Sequence, residues 1–285
     1  MVDVALLTGR TMPRDAPENG LVVAELAALG VGAEVHPWDE PLDWAAFGLA
    51  VVRTTWDYWD RHQEFIAWAQ RVGKLTTLRN PAELLVWNSH KGYLVGLEAS
   101  AVPVVPTRLV RRGASGAEQA RALTAFGDGE VVVKPAVSAG ARGALRTRAA
   151  DGASAGHLAG LTERGDALVQ PFAESILSRG ESSLVFFGGT FSHAVRKVPA
   201  LGEYRIHEHH GGSVCPHTPS PAELAVAVAA LAAAPTATSH ARVDLVELPD
   251  GPAVMELELV EPELFLAHVP SAAARYAGHL ATLLR

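Results

Sequence analysis

The sequence predicts an α/β protein in three lobes: an N-terminal parallel sheet, a central α+β lobe, and a C-terminal antiparallel sheet with helices. Three observations point there. The first part alternates short β-branched runs with helix-period stretches, the pattern of a parallel sheet with crossover helices. Pro103 and Pro106 break that alternation and mark a lobe boundary, after which a tighter strand–helix series runs to Pro171. Beyond residue 181, paired strands meet at Gly-containing turns, which indicates antiparallel hairpins. The expected lobes are 1–88, 89–172 and 173–285.

Taken in order, residues 2–8 read as a buried strand and 19–29 as a helix that stops at Gly30. Residues 32–36 and 49–53 read as further strands and 63–71 as a helix. Asn80-Pro81 and 88–101 suggest two short helices. The central unit reads strand 107–111, helix 115–126, strand 130–135, a small-residue loop 138–143, strand 144–148, helix from about 156 to 164, and strand 167–171. Residues 182–187 and 190–198 form a hairpin turned at Gly188-Gly189. Ser220 caps a helix over 222–233 with Pro221 in its first position. Strands 241–248 and 253–259 flank the turn Pro249-Asp250-Gly251, and a helix closes the chain.

Composition narrows the function. Of 285 residues, 48% are apolar and 19% charged, which suits a packed core rather than long disorder. The stretches 224–234 and 253–259 are too short or too interrupted by Glu to span a bilayer, so no membrane role is expected. The start lacks a basic n-region and reads as a first strand rather than a signal peptide. One cysteine, Cys215, excludes an intrachain disulfide and fits a cytoplasmic location. A net charge of −7 without a basic run argues against nucleic acid as a partner. A small-molecule enzyme or binder remains.

The sharpest chemical signal is Arg242-x-Asp244 followed by Glu256-x-Glu258. Alternate residues of a strand share a face, and the intervening turn sets the strands side by side, so Asp244, Glu256 and Glu258 gather on one patch. Buried together they repel, and a hard cation such as Mg²⁺ resolves the conflict. An isolated Glu-x-Glu would read as the solvated face of a hairpin; Arg242-x-Asp244 on the partner strand favours the site. A second signal is Lys134 at the end of a buried strand, before Ser138, Ala139 and Gly140. Small side chains let backbone N–H groups approach phosphate while the ammonium supplies charge, although a snorkelling lysine beside an ordinary turn reads equally well. The third is Gln170, Pro171 and Phe172 with Glu181 beyond, an extended segment that could line an adenine pocket or serve as a plain connector. Gly152-x-Ser154-x-Gly156 is read as a chance match to a nucleophile elbow, since a polar segment precedes it. His207-Glu208-His209-His210 lacks metal-ligand spacing and reads as a polar strand. Residues 53–59 sit after a parallel strand, where ligands bind in α/β folds, or form an aromatic packing loop.

In this order the motifs resemble the ATP-grasp superfamily from about residue 85 to the end, and the sheet before it is similar to that superfamily's N-terminal lobe. The resemblance implies ATP and Mg²⁺ as cofactors. It assigns Lys91 and Lys134 to the nucleotide phosphates, Ser138, Ala139 and Gly140 to a lid loop, Gln170, Pro171 and Phe172 to the adenine hinge, and Glu181 to the ribose. Asp244, Glu256 and Glu258 would hold magnesium, and Arg242 would stabilise an acyl phosphate, as in the D-alanine–D-alanine ligases. Many members carry Asn where Glu258 stands, which leaves the number of metal ions open. Segments 53–59, 192–197, 202–205 and 255–262 resemble the branch of cycloserine-forming cyclo-ligases, which implies closure of a ring from O-ureido-D-serine. Arg205 and Lys197, with Arg196, are candidates for holding the γ-phosphate or a substrate carboxylate, and Arg53 and Tyr58 for the substrate pocket. A ligase making a linear amide and a non-catalytic nucleotide-binding module are the alternatives.

Overall fold

The protein, a computed structural model, is described over residues 2–10, 17–200, 203 and 211–284. β1 (Val4–Thr8) leads through α1 (Pro17–Ala28) to β2 (Ala33–Pro37), then to β3 (Leu49–Thr54), α2 (His62–Val72) and β4 (Thr77–Arg79). These strands pair in parallel in the order β2-β1-β3-β4. β1 and β3 are buried along their whole length because alternate side chains enter two apolar layers. Val4, Leu6, Leu49 and Val51 join one, and Ala5, Leu7, Ala50 and Val52 the other, with Trp38, Phe65 and Trp68. β4 adds to the expected elements; three residues carry no readable period.

α3 (Ala82–Asn88) and α4 (Tyr93–Ala99) lead into the central sheet. That sheet is built from β5 (Arg108–Val110), α5 (Gly116–Leu123), β6 (Glu130–Pro135), β7 (Leu145–Arg148), α6 (Gly152–Arg164) and β8 (Ala167–Pro171). It is antiparallel, in the order β5-β8-β6-β7. α6 starts earlier than expected and takes Gly152-x-Ser154-x-Gly156 into its first turns. Ser154 is fully buried, and its hydroxyl donates to the carbonyls of Ala149 and Asp151 at 2.9 and 2.6 Å, so it presents no nucleophile.

The last part holds α7 (Ser175–Arg179), β9 (Glu181–Phe187), β10 (Thr190–Val198), β11 (Ser213–His217), α8 (Pro221–Ala232), β12 (His240–Leu248), β13 (Gly251–Glu258) and α9 (Ala272–Thr282). Its antiparallel sheet runs β11-β10-β9-β12-β13. The β9–β10 turn has φ of 56° at Gly188 and 75° at Gly189, the left-handed pair that a Gly-Gly turn supplies. Ser220 caps α8 in a capping box with Glu223, with Pro221 opening the helix as expected. α7 and β11 are additions, and His207 to His210 lie outside the described residues. α9 returns to the first sheet: Tyr276, Ala277 and Leu280 share a core with Val4, Leu6, Val185 and Phe187.

β13 is an edge strand, but its outer backbone groups are satisfied. The Asn88 side chain receives Leu259 N–H and donates to Leu257 C=O, at 2.7 and 2.8 Å. Tyr93 Oη accepts from Leu257 N–H at 3.0 Å, and Asn80 donates to the carbonyls of Leu259 and His240 at 2.7 and 2.8 Å. Farther along, Val254 exchanges bonds with the Pro103 carbonyl and Val105 N–H, each at 2.9 Å. No helix among the described residues is long and apolar enough to cross a membrane.

Candidate active site

Register on β12 and β13 pairs Arg242 with Glu258 and Asp244 with Glu256, so the four charged side chains meet as the alternation predicts. Arg242 grips Asp244 with Nε and Nη2, each at 2.9 Å to a different carboxylate oxygen. Nη2 also donates to Glu258, and Nη1 donates to the Glu263 carbonyl at 3.1 Å. Burial disfavours a charged Arg242, yet Asp244 and Glu258 outweigh it and raise its pKa well above the ordinary value. Asp244 also accepts from Ser183 Oγ and lies 3.4 Å from Lys197 Nζ. Despite burial, Arg242 and Lys197 hold its carboxyl well below the usual carboxylate range.

Lys197, on β10, pairs with Glu181 on β9 at 2.6 Å. The approach depends on Gly180, whose φ is +71° and where a Cβ would sit 2.2 Å from the Lys197 carbonyl oxygen. Burial still pushes the Glu181 carboxyl up to about 7, against the pull of Lys197. Glu258 also rises to about 7, because burial and the neighbouring Glu256 outweigh Arg242.

The central lobe supplies cations. Lys134, at the end of β6, faces the same cavity, and its ammonium makes no hydrogen bond or ion pair with any described residue. Burial lowers its pKa, and Glu256 only partly restores it. Lys91 is held instead: its Nζ lies 2.6 Å from Glu256 and donates to the Ser138 carbonyl at 2.8 Å. That pairing keeps Glu256 below its usual pKa in spite of burial. In the loop after β6, Gly140 and Ala141 adopt φ of 61° and 56°, and Arg142 reaches across to lie 4.5 Å over the ring of Trp59 in the N-terminal lobe.

Lys91, Lys134, Arg142, Glu181, Lys197, Arg242, Glu256 and Glu258 line one cavity of about 690 Å³ together with Ser138, Ala139, Gly140, Gln170, Pro171 and Phe172. The buried Gln170 amide donates to Thr107 Oγ1 at 2.9 Å. Arg146 stacks 3.7 Å over Phe172 and pairs with Glu130. Tyr58 is buried but lines the cavity beside Trp56 and Trp59.

One expectation about the substrate pocket changes. Arg53 has no exposed surface: it donates to Glu18 at 2.9 Å and to the Pro262 carbonyl at 3.1 Å, 5.4 Å above the Tyr276 ring. Glu18 in turn receives the N–H groups of Leu264 and Leu266. Arg53 therefore fastens the loop after β13 to the N-terminal lobe rather than facing a ligand. Arg205 lies outside the described residues.

The metal set is also rearranged. Glu256 and Glu258 line the cavity, whereas Asp244 is covered by Arg242 and Lys197 and does not. Among the described residues no three acidic, His or Cys side chains converge closely enough to form a metal cage. Two carboxylates facing this cavity still fit Mg²⁺, which takes one or two carboxylates and fills its shell with phosphate oxygens and water. Glu261, Glu263 and Phe265 line the cavity without having been singled out as site residues. They follow the end of β13, where no strand period assigns a face; the available signal was two acids, at 261 and 263, following Glu256-x-Glu258.

The chain is similar to known proteins along most of its length. Residues 4–80 match the family described as the N-terminal domain of the D-cycloserine synthetase DcsG. Over 273 residues, the chain is 34% identical to the cycloserine biosynthesis protein DcsG of Streptomyces lavendulae, covering 90% of each. The crystal structure of D-cycloserine synthetase DcsG superposes with a TM-score of 0.90 at 32% identity, covering 99% of both chains. The D-alanine–D-alanine ligase of Bacillus anthracis shares the fold, with a TM-score of 0.70 at 14% identity over 100% of this chain and 96% of that one.

Proposed function

The chain belongs to the D-cycloserine synthetase (DcsG) family of ATP-grasp ligases and is an ATP-dependent carboxylate–amine ligase, and on that premise we propose that it closes a ring in O-ureido-D-serine through an acyl phosphate. The carrying observation is the Lys134 ammonium, which has no hydrogen-bond or ion-pair partner among the described residues and shares a cavity with Arg242, Glu256 and Glu258. Lys134 and Lys91 would meet the ATP phosphates, with the loop over 138–143 laid above them and Glu181 toward the ribose. Arg142 on Trp59 ties that loop to the N-terminal lobe.

A substrate carboxylate oxygen attacks the γ-phosphorus, the bond to ADP breaks, and an acyl phosphate forms. The ureido nitrogen then attacks the acyl carbon, loses its proton, and phosphate departs. Arg242 faces the oxygen that becomes negative, where a preorganised cation stabilises the transition state more than the ground state. Glu256 and Glu258 would hold Mg²⁺, which when bound neutralises charge between the phosphates. Because the nucleophile belongs to the same molecule, orientation removes about 7–11 kcal/mol of the barrier in favourable cases.

The test supplies purified protein with ATP, Mg²⁺ and O-ureido-D-serine. ADP, phosphate and a ring-closed product by mass spectrometry are expected, with loss of all three in excess EDTA. ADP released only after a second amino acid is added, with a linear amide as product, would overturn ring closure.

A further inference from the structure

Glu261 is a cavity carboxylate that the reaction above leaves unused. It is 8% exposed, lines the cavity, and its carboxylate makes no hydrogen bond or ion pair with any described residue. Its backbone is fixed: Trp56 Nε1 donates to the Glu261 carbonyl at 2.9 Å, and Trp59 Nε1 donates to the Trp56 carbonyl at 3.0 Å. Trp56 and Tyr58 therefore stand in the same corner of the cavity as the acid, and no described residue accepts or donates a hydrogen bond at the Tyr58 hydroxyl. A buried carboxylate without a partner is costly, and Glu256 and Glu258 nearby add like charge. Without a partner it is relieved by taking up a proton, and a bound cation would hold it ionised. Mg²⁺ suits Glu256 and Glu258, which share the cavity with the two lysines; aromatic walls suit a more weakly hydrated organic ammonium, which gains from ring faces as well as from the carboxylate.

We propose that Glu261, walled by Trp56 and Tyr58, binds the α-ammonium of the amino-acid substrate and so selects amino acids over simple carboxylic acids. This rests on the reading of the site as an amino-acid ligase. Held at its ammonium by Glu261, the substrate turns its carboxylate toward Arg242 and the phosphates. No covalent step passes through Glu261; it is a specificity-determining residue.

The experiment compares wild type with Glu261→Gln on O-ureido-D-serine and on its analogue with hydrogen in place of the α-amino group, following ADP release. For Glu261→Gln, KM for O-ureido-D-serine should rise roughly 30- to 100-fold, as when one partner of a buried charge pair is lost, while KM for ATP stays within about twofold. Wild type should discriminate against the des-amino analogue by about a hundredfold, and Glu261→Gln by less than about fivefold. Glu261→Asp, which keeps the charge, should recover part of the discrimination. A merely structural role would lower turnover of both compounds equally and leave the discrimination intact, which overturns the assignment. Unchanged KM in Glu261→Gln overturns it as well. Wild type that releases no ADP with O-ureido-D-serine removes the ring-closing reading, and this assignment falls with it.

Discussion

The two walls of the cavity carry charge in opposite ways. On the C-terminal sheet, Arg242, Asp244, Lys197, Glu181 and Glu258 are locked to one another at hydrogen-bond distance. On the central lobe, Lys134 points into the same space with no hydrogen-bond or ion-pair partner among the described residues. The first arrangement is completed when the chain folds, since each charge is desolvated and compensated by a neighbour. The second is completed only by a ligand, and until then burial weakens its charge. Folding fixes the geometry of one wall, and binding supplies the electrostatic stabilisation of the other.

Breaking the compensated wall should have the largest effect. Arg242→Ala leaves Asp244 and Glu258 buried together, so stability should drop by about 3–5 kcal/mol and turnover by roughly a thousandfold. Urea denaturation reads the first, and single-turnover product formation reads the second. ATP affinity should fall far less, because the role proposed for this guanidinium is at the reacting carbonyl. Lys134→Met reverses the ratio: turnover should fall about a hundredfold while the melting temperature holds or rises, since no hydrogen bond or ion pair with a described residue is lost. Near-normal turnover in a folded Lys134→Met protein would take this lysine out of the phosphate site.

The smallest effect sharpens the comparison at a buried group without a counter-charge. His240, at the start of β12, is fully buried with Nδ1 3.2 Å from the Tyr276 hydroxyl. Burial, then the charge of Arg53, holds its pKa well below the ordinary 6.5. Below pH 6.5 the unfolded chain takes up a proton that the folded chain refuses. Stability present above that pH is therefore lost as pH falls, by up to about 1.4 kcal/mol per pH unit for this group. Melting curves between pH 7.5 and 5 should be steeper for wild type than for His240→Gln; parallel curves would show that His240 protonates within the fold.

Period and turn chemistry made the charged hairpin legible. Arg242-x-Asp244 and Glu256-x-Glu258 around Pro249-Asp250-Gly251 fix a shared face, even though a bulge between Asp244 and Leu245 shifts the pairing beyond it. Lys134 was legible for the same reason, as a charge at the end of a strand. What lay outside local pattern was who covers whom. Arg53 reads as a ligand-facing strand end until Glu18, 35 residues earlier, and the Pro262 carbonyl, 209 residues later, are brought to it. Asp244 shares the face of Glu256 but is roofed by Arg242 and Lys197, which only the third dimension reveals. The five-residue α7 and the edge strand β11 are too short or too polar to announce themselves.

The amides of Asn80 and Asn88 have a consequence for where the acids point. With Tyr93, they occupy the hydrogen-bonding positions that a sixth strand would take beside β13. A neighbouring molecule therefore finds that stretch already filled, and templated growth of the sheet from this side is blocked. The same bonds act as a vernier. Sliding β13 by one residue would empty all of them at once, and would turn Glu256 and Glu258 to the opposite side of the sheet. Two asparagines and a tyrosine thus keep the carboxylates aimed inward.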